Sequence, residues 1–172
     1  MRHSQWLWLP VVALSTSVHA TTYLSVAQAQ QLIFPGAQLH ASSVALSDAQ
    51  QQQIKQATGS VMPHPEIRFW RVASGGFFIV DEVVGKHELI AYAVGLNADG
   101  GIKQVEILDY RESYGYEIHN QRWLRQFVGK HYGAPLRMDH EIQNISGATL
   151  SCTHLTDGVR RLLALYEVAL RY

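Results

Sequence analysis

The chain has 172 residues, 47% of them hydrophobic, and Lys plus Arg equals Asp plus Glu at 14 each. Zero formal charge leaves no broad field to draw in nucleic acid or an acidic membrane surface, which stands against a nucleic-acid role. A single cysteine, Cys152, excludes an internal disulfide, so a hydrophobic core must supply stability and the thiol itself suits a buried small hydrophobe.

Residues 1–20 read as an export leader. Arg2 gives a positive start, Trp6 to Leu14 form a short apolar run, and Val18-His19-Ala20 places small residues where a signal peptidase reads. An uncleaved anchor is the rival reading; against it, the run stops short of the about 20 apolar residues that span a bilayer, and Pro10 interrupts it. Residues 21–172 then suit one domain without a linker or internal repeat.

Tyr23 to Phe34 predicts a short helix, closed by Phe34-Pro35-Gly36. Ser47-Asp48 caps a second helix that runs to Thr58-Gly59. The period then changes. Ile67 to Val72, Phe77 to Val84, Leu89 to Leu96 and Ile102 to Tyr110 are β-branched and aromatic segments separated by glycine-rich turns, which predicts a four-stranded antiparallel meander. In the third strand Ile90, Tyr92 and Val94 alternate with Leu89, Ala91 and Ala93; both faces are apolar, so helices must cover part of the second. From Asn120 the period is helical again, with Trp123, Leu124, Phe127 and Val128 on one stripe. A last helix over about Ser151 to Leu170 carries Leu155, Val159, Leu162, Leu163 and Tyr166 on one face. The fold class is α+β, a single domain in which helices pack on an antiparallel sheet.

Several chemistries lack their motif. No C-x-x-C-H or paired cysteines occur, Asn144 stands where H-E-x-x-H needs its second histidine, and neither a phosphate-binding glycine loop nor a hydrolase serine elbow is present. The segment with chemical promise is Ile145-Ser146-Gly147-Ala148-Thr149-Leu150-Ser151, leading into the last helix. Gly147 and Ala148 let a ligand approach the backbone, unpaired amides at a helix start favour an anion, and Ser146, Thr149 and Ser151 add hydroxyls. The same residues equally suit a plain turn and helix cap.

Ser146-Gly147-Ala148-Thr149 before an amphipathic helix resembles the flavin-attachment motif of the FMN-binding domain family, which includes flavin-carrying subunits of sodium-pumping quinone reductases and Rnf complexes and many small exported proteins. Val84 to Ile90, Tyr92 to Gly95 and Ile102 to Leu108 are similar to that family's opening sheet, and Glu112-Ser113-Tyr114-Gly115 to its Glu-Thr-x-Gly turn; the likeness covers roughly residues 80–170. It departs at Gln143, where the family commonly has Asp three residues before the serine, and at Ser113 and Tyr114 within the turn.

The resemblance implies FMN as cofactor, linked through its phosphate to Thr149 by an FAD-dependent, magnesium-requiring flavin transferase, with Ser146, Gly147 and Ala148 forming the loop. Ser151 joins this set through its hydroxyl at the helix start. Glu112 would hydrogen-bond the flavin ring or stand as an exposed charge, and Tyr114 and Tyr116, beside Gly115, would pack on the isoalloxazine or fill the core. The expected role is a periplasmic electron carrier working with a membrane redox partner, rather than an enzyme with its own substrate. Gln143 motivates a second reading, a flavin-free accessory module of an exported redox complex. A flavin reductase with its own substrate is a third, for which no general acid or base is evident.

Overall fold

The computed structural model describes residues 21–172, so the expected leader lies outside the described residues. Strand β1 (Thr21–Thr22) leads into helix α1 (Val26–Ile33), which Ser25 and Gln28 start with a reciprocal capping box. Strand β2 (Leu39–Ala45) follows, then helix α2 (Asp48–Thr58), capped the same way by Ser47 and Gln50 and closed by Gly59 in the left-handed conformation. The meander is β3 (Glu66–Val72), β4 (Phe77–Val84), β5 (Leu89–Leu96) and β6 (Ile102–Tyr110). These four match the segments expected from side-chain period almost residue for residue.

All strands join one antiparallel sheet in the order β1-β6-β5-β4-β3-β2. The pairing of β2 with β3 adds an edge strand that periodicity did not reveal, and β1 covers part of the far edge by pairing Thr21 with Tyr110 and Thr22 with Asp109. A register shift in β5–β6 takes Leu108 out of the ladder, and its carbonyl accepts instead from the amides of Tyr23 and Leu24. This ties the start of α1 to the sheet.

Both faces of the sheet are covered. On one, Ala29, Ile33 and Phe34 of the α1 segment pack with Phe78, Ala93 and Leu108. On the other lies the main core, where Ile90, Tyr92, Val94 and Leu96 meet Leu155, Val159, Leu162 and Leu163 of helix α4 (Thr149–Leu165). The alternation in β5 thus sends Tyr92 and its neighbours to α4 and Ala93 to α1. Gly158 lets α4 approach closely, since a Cβ there would lie 2.4 Å from the Tyr92 hydroxyl and 2.8 Å from Val83 Cγ1.

Across this interface Asp81, the cross-strand neighbour of Tyr92, accepts from the Tyr92 hydroxyl (2.8 Å) and from Arg161 Nη2 (2.7 Å). Burial first, then the Asp81 charge, pushes the Tyr92 phenol well above its usual pKa, so it remains a donor.

Three helical expectations are corrected, the first being that α1 starts at Val26 behind its Ser25 cap rather than at Tyr23. The stretch after Asn120 is a single α turn, α3 (Gln121–Leu124), continued by a 3-10 turn over Arg125–Phe127; Trp123, Leu124 and Phe127 are buried, but Val128 is exposed. The last helix starts two residues earlier than expected, at Thr149, and its end, Tyr166–Leu170, is wound as a π-helix. Among the described residues no helix is long and apolar enough to cross a membrane.

Candidate functional site

The loop before α4 is held from behind. Trp123 Nε1 donates to the Gln143 carbonyl at 2.6 Å, and the Gln143 amide donates to Gln126 Oε1 at 2.7 Å. Trp123 and Gln126, on the turn after Asn120, therefore clamp the backbone three residues before Ser146. The chain then reverses through a turn closed by the Ala148 amide on the Ile145 carbonyl (2.9 Å), with Gly147 at φ 83°. That left-handed angle favours glycine, and the space where a Cβ would stand is open.

The plain-cap interpretation of this loop fails on geometry. The N-cap of α4 is Ala148, no side chain caps it, and the first turn holds no acidic residue. The hydroxyls expected in the loop are distributed unequally: Ser146 and Thr149 are exposed, whereas Ser151 is buried at 2% exposure. The first-turn amides and the positive end of the helix dipole thus remain without a side-chain partner next to an exposed hydroxyl at Thr149. This arrangement fits a phosphate group.

The turn after β6 closes on the same place. Gly115, at φ 81°, is buried against the loop: a Cβ there would lie 2.4 Å from Ala148 Cβ and 2.9 Å from the Tyr110 hydroxyl. The Tyr110 hydroxyl in turn donates to the Tyr114 carbonyl. The two segments singled out in the sequence, separated by thirty-odd residues, are in contact through Gly115 and Ala148. Tyr114 and Tyr116 flank that contact at 80% and 62% exposure. They do not fill the core, which leaves their rings available to a ligand or partner.

Glu112 is placed otherwise than as a free ring ligand. Its Oε1 accepts from the amides of His87 and Glu88 in the β4–β5 turn, over Gly85, where a Cβ would come within 2.6 Å. His154, one turn into α4, approaches the same turn with Nδ1 2.6 Å from the Val84 carbonyl and 3.2 Å from that of Gly85. A closed circuit results: Gly85 to Glu112, Gly115 to Ala148, and His154 back to Gly85. Neither His154 nor Gly85 carries a signal in the sequence for this role, because the His154 ring reaches backbone carbonyls remote in sequence and Gly85 serves by lacking a side chain.

Partial burial works to raise the Glu112 pKa, but the amide hydrogen bonds of Glu88, His87 and Lys86, with the His87 charge, outweigh it and hold the carboxyl below its ordinary 4.5. A group with a depressed folded-state pKa stabilises fully above its unfolded value and loses that contribution as pH falls through the folded one. Acidification below about 4.5 should therefore loosen the β4–β5 turn, seen as falling exchange protection of the His87 and Glu88 amides. In Glu112→Gln this acid dependence should vanish; identical profiles in both proteins would disprove the contact.

Cys152 is fully buried one turn beyond the loop, and burial pushes its thiol up, which suits packing rather than redox work.

Residues 85–164 match the family described as the FMN-binding domain. The chain carries an FMN-binding domain. FMN is its cofactor. No curated protein matches the chain. The FMN-binding domain match opens at Gly85, in the turn that Glu112 closes, and ends within α4, so every member of the circuit lies inside it. The strands up to β4 and helices α1 and α2 precede the match, yet β4 is laddered to β5 along its whole length and belongs to the same sheet.

Proposed function

We propose that this chain is an exported electron-transfer protein whose FMN is attached through its phosphate to Thr149. The observation that carries the reading is the α4 start, where an exposed threonine hydroxyl stands beside uncapped amides inside the matched domain. In this reading Gly147 admits the ligand to the backbone, and the amides of Thr149, Leu150 and Ser151 hold the phosphate charge. Tyr114 and Tyr116 offer exposed faces to the isoalloxazine, and Ser146 lines the open side of the loop. When bound, FMN supplies one- or two-electron chemistry; the protein supplies position and the exclusion of side reactions.

Electrons would pass between a membrane redox partner and a further acceptor outside the cytoplasm. Export rests on the leader-like residues 1–20, and attachment on an FAD-dependent flavin transferase. Gln143 keeps a second reading in view, a flavin-free accessory module, because the family's usual carboxylate is missing from the clamped position.

Intact mass under denaturing conditions, after coexpression with a flavin transferase, tests the proposal. A gain of one FMN less water on the peptide containing Thr149 is expected. An unmodified mass with FMN in the native sample would remove the covalent bond and keep the flavoprotein. No flavin in either state would favour the accessory module.

A further inference from the structure

Asn144 follows the clamped Gln143, and its Nδ2 donates to Thr149 Oγ1 at 3.0 Å. We propose that Asn144 is a positioning residue for flavin attachment, fixing the rotamer and proton direction of the Thr149 hydroxyl. The inference rests on the reading that Thr149 is the acceptor.

A threonine in a helix divides between two χ1 rotamers, so an exposed one at the first helical position is not fixed by its own backbone. The Ile145 carbonyl four residues back takes the Ala148 amide, and the Thr149 hydroxyl has its bond with Asn144. Asn144 makes the choice instead. Its carrier segment cannot drift, because the Gln143 carbonyl is held by Trp123 and the Gln143 amide by Gln126. The amide donor occupies one lone pair of Oγ1, which turns the hydroxyl proton away from the loop and leaves the second lone pair for attack.

In the attachment step, Thr149 Oγ1 bonds to the flavin-side phosphorus of FAD while the bond from that phosphorus to the bridging oxygen breaks. AMP departs with that oxygen and the electron pair of the broken bond. The hydroxyl proton, directed outward, passes to a base of the transferase or to water. An amide does not take up that proton at neutral pH, so Asn144 sets geometry rather than acting as a base.

The test uses the purified flavin-free chain with FAD, Mg²⁺ and the flavin transferase, following covalent flavin by fluorescence and mass. Asn144→Ala should lower kcat of attachment by roughly tenfold or more with little change in KM for the chain, while its thermal midpoint stays at the wild-type value. Asn144→Asp keeps the length but accepts where Asn donates, and should be similarly slow. Attachment to Asn144→Ala at the wild-type rate, or full activity of Asn144→Asp, would overturn the positioning role alone. Failure of the wild-type chain to take flavin would instead overturn Thr149 as acceptor, and the positioning role with it.

Discussion

Thr149→Ala protein, coexpressed with the flavin transferase, is expected to carry no covalent flavin at all. The loss should be complete because the remaining hydroxyls are misplaced. Ser151 is buried at 2% exposure, facing the core side of the first turn, and Ser146 lies on the far side of the left-handed Gly147. Neither can reach the position that Thr149 occupies without remaking the turn. Thr149→Ser should retain attachment, since the oxygen stays in place, although without the β-methyl group the rotamer is less constrained. Denaturing gel fluorescence and intact mass decide the matter; covalent flavin persisting in Thr149→Ala would sink the assignment. FMN retained noncovalently by the same variant would show that the amides and aromatic rings bind, and that the phosphoester serves only to prevent loss.

The largest effect on stability is expected at Asp81. Its carboxylate, 8% exposed, is the shared acceptor for Tyr92 and for Arg161, itself 11% exposed. Asp81→Ala leaves a guanidinium and a phenol in the sheet–helix interface without their acceptor. Breaking a buried pair in this one-sided way costs about 3–5 kcal/mol. For a domain of this size that corresponds to a fall in Tm of roughly 10 °C. Urea unfolding should show the midpoint shift with an unchanged slope. An Asp81→Ala/Arg161→Met double variant should recover part of the loss, because no charge is then stranded. Equal stability of Asp81→Ala and wild type would mean that water compensates Arg161 and that the contact holds nothing.

The meander was legible because β3 to β6 concentrate β-branched and aromatic residues between glycine turns. Strand β2 was not. Leu39-His40-Ala41-Ser42-Ser43-Val44-Ala45 has small and hydroxyl residues where a strand usually shows bulk, and only its ladder to β3 defines it. Helix ends were legible where a cap is spelled out, as at Ser47 and Gly59, and missed at α4, whose N-cap is an alanine. The loop before α4 stood out through its small and hydroxyl residues and its likeness to a family motif. The contacts that brace it were hidden, because Gly115 meets Ala148 and Gly85 meets Glu112 across long stretches of sequence. Glu112 illustrates the limit: its carboxylate was visible, but the amides of His87 and Glu88 that occupy it are backbone groups, which every residue carries alike.

The short strand β1 fixes the rim of the sheet at which the chain enters the fold. Thr21 pairs with Tyr110, the last residue of β6, whose hydroxyl lies beside the contact between Gly115 and Ala148. The polypeptide therefore enters the fold next to the loop before α4 rather than at the opposite edge of the sheet. Loss of the two pairs that Thr21 and Thr22 make would therefore bare the β6 edge beside Gly115 and Ala148, whereas changes at the β2 edge would leave that rim intact.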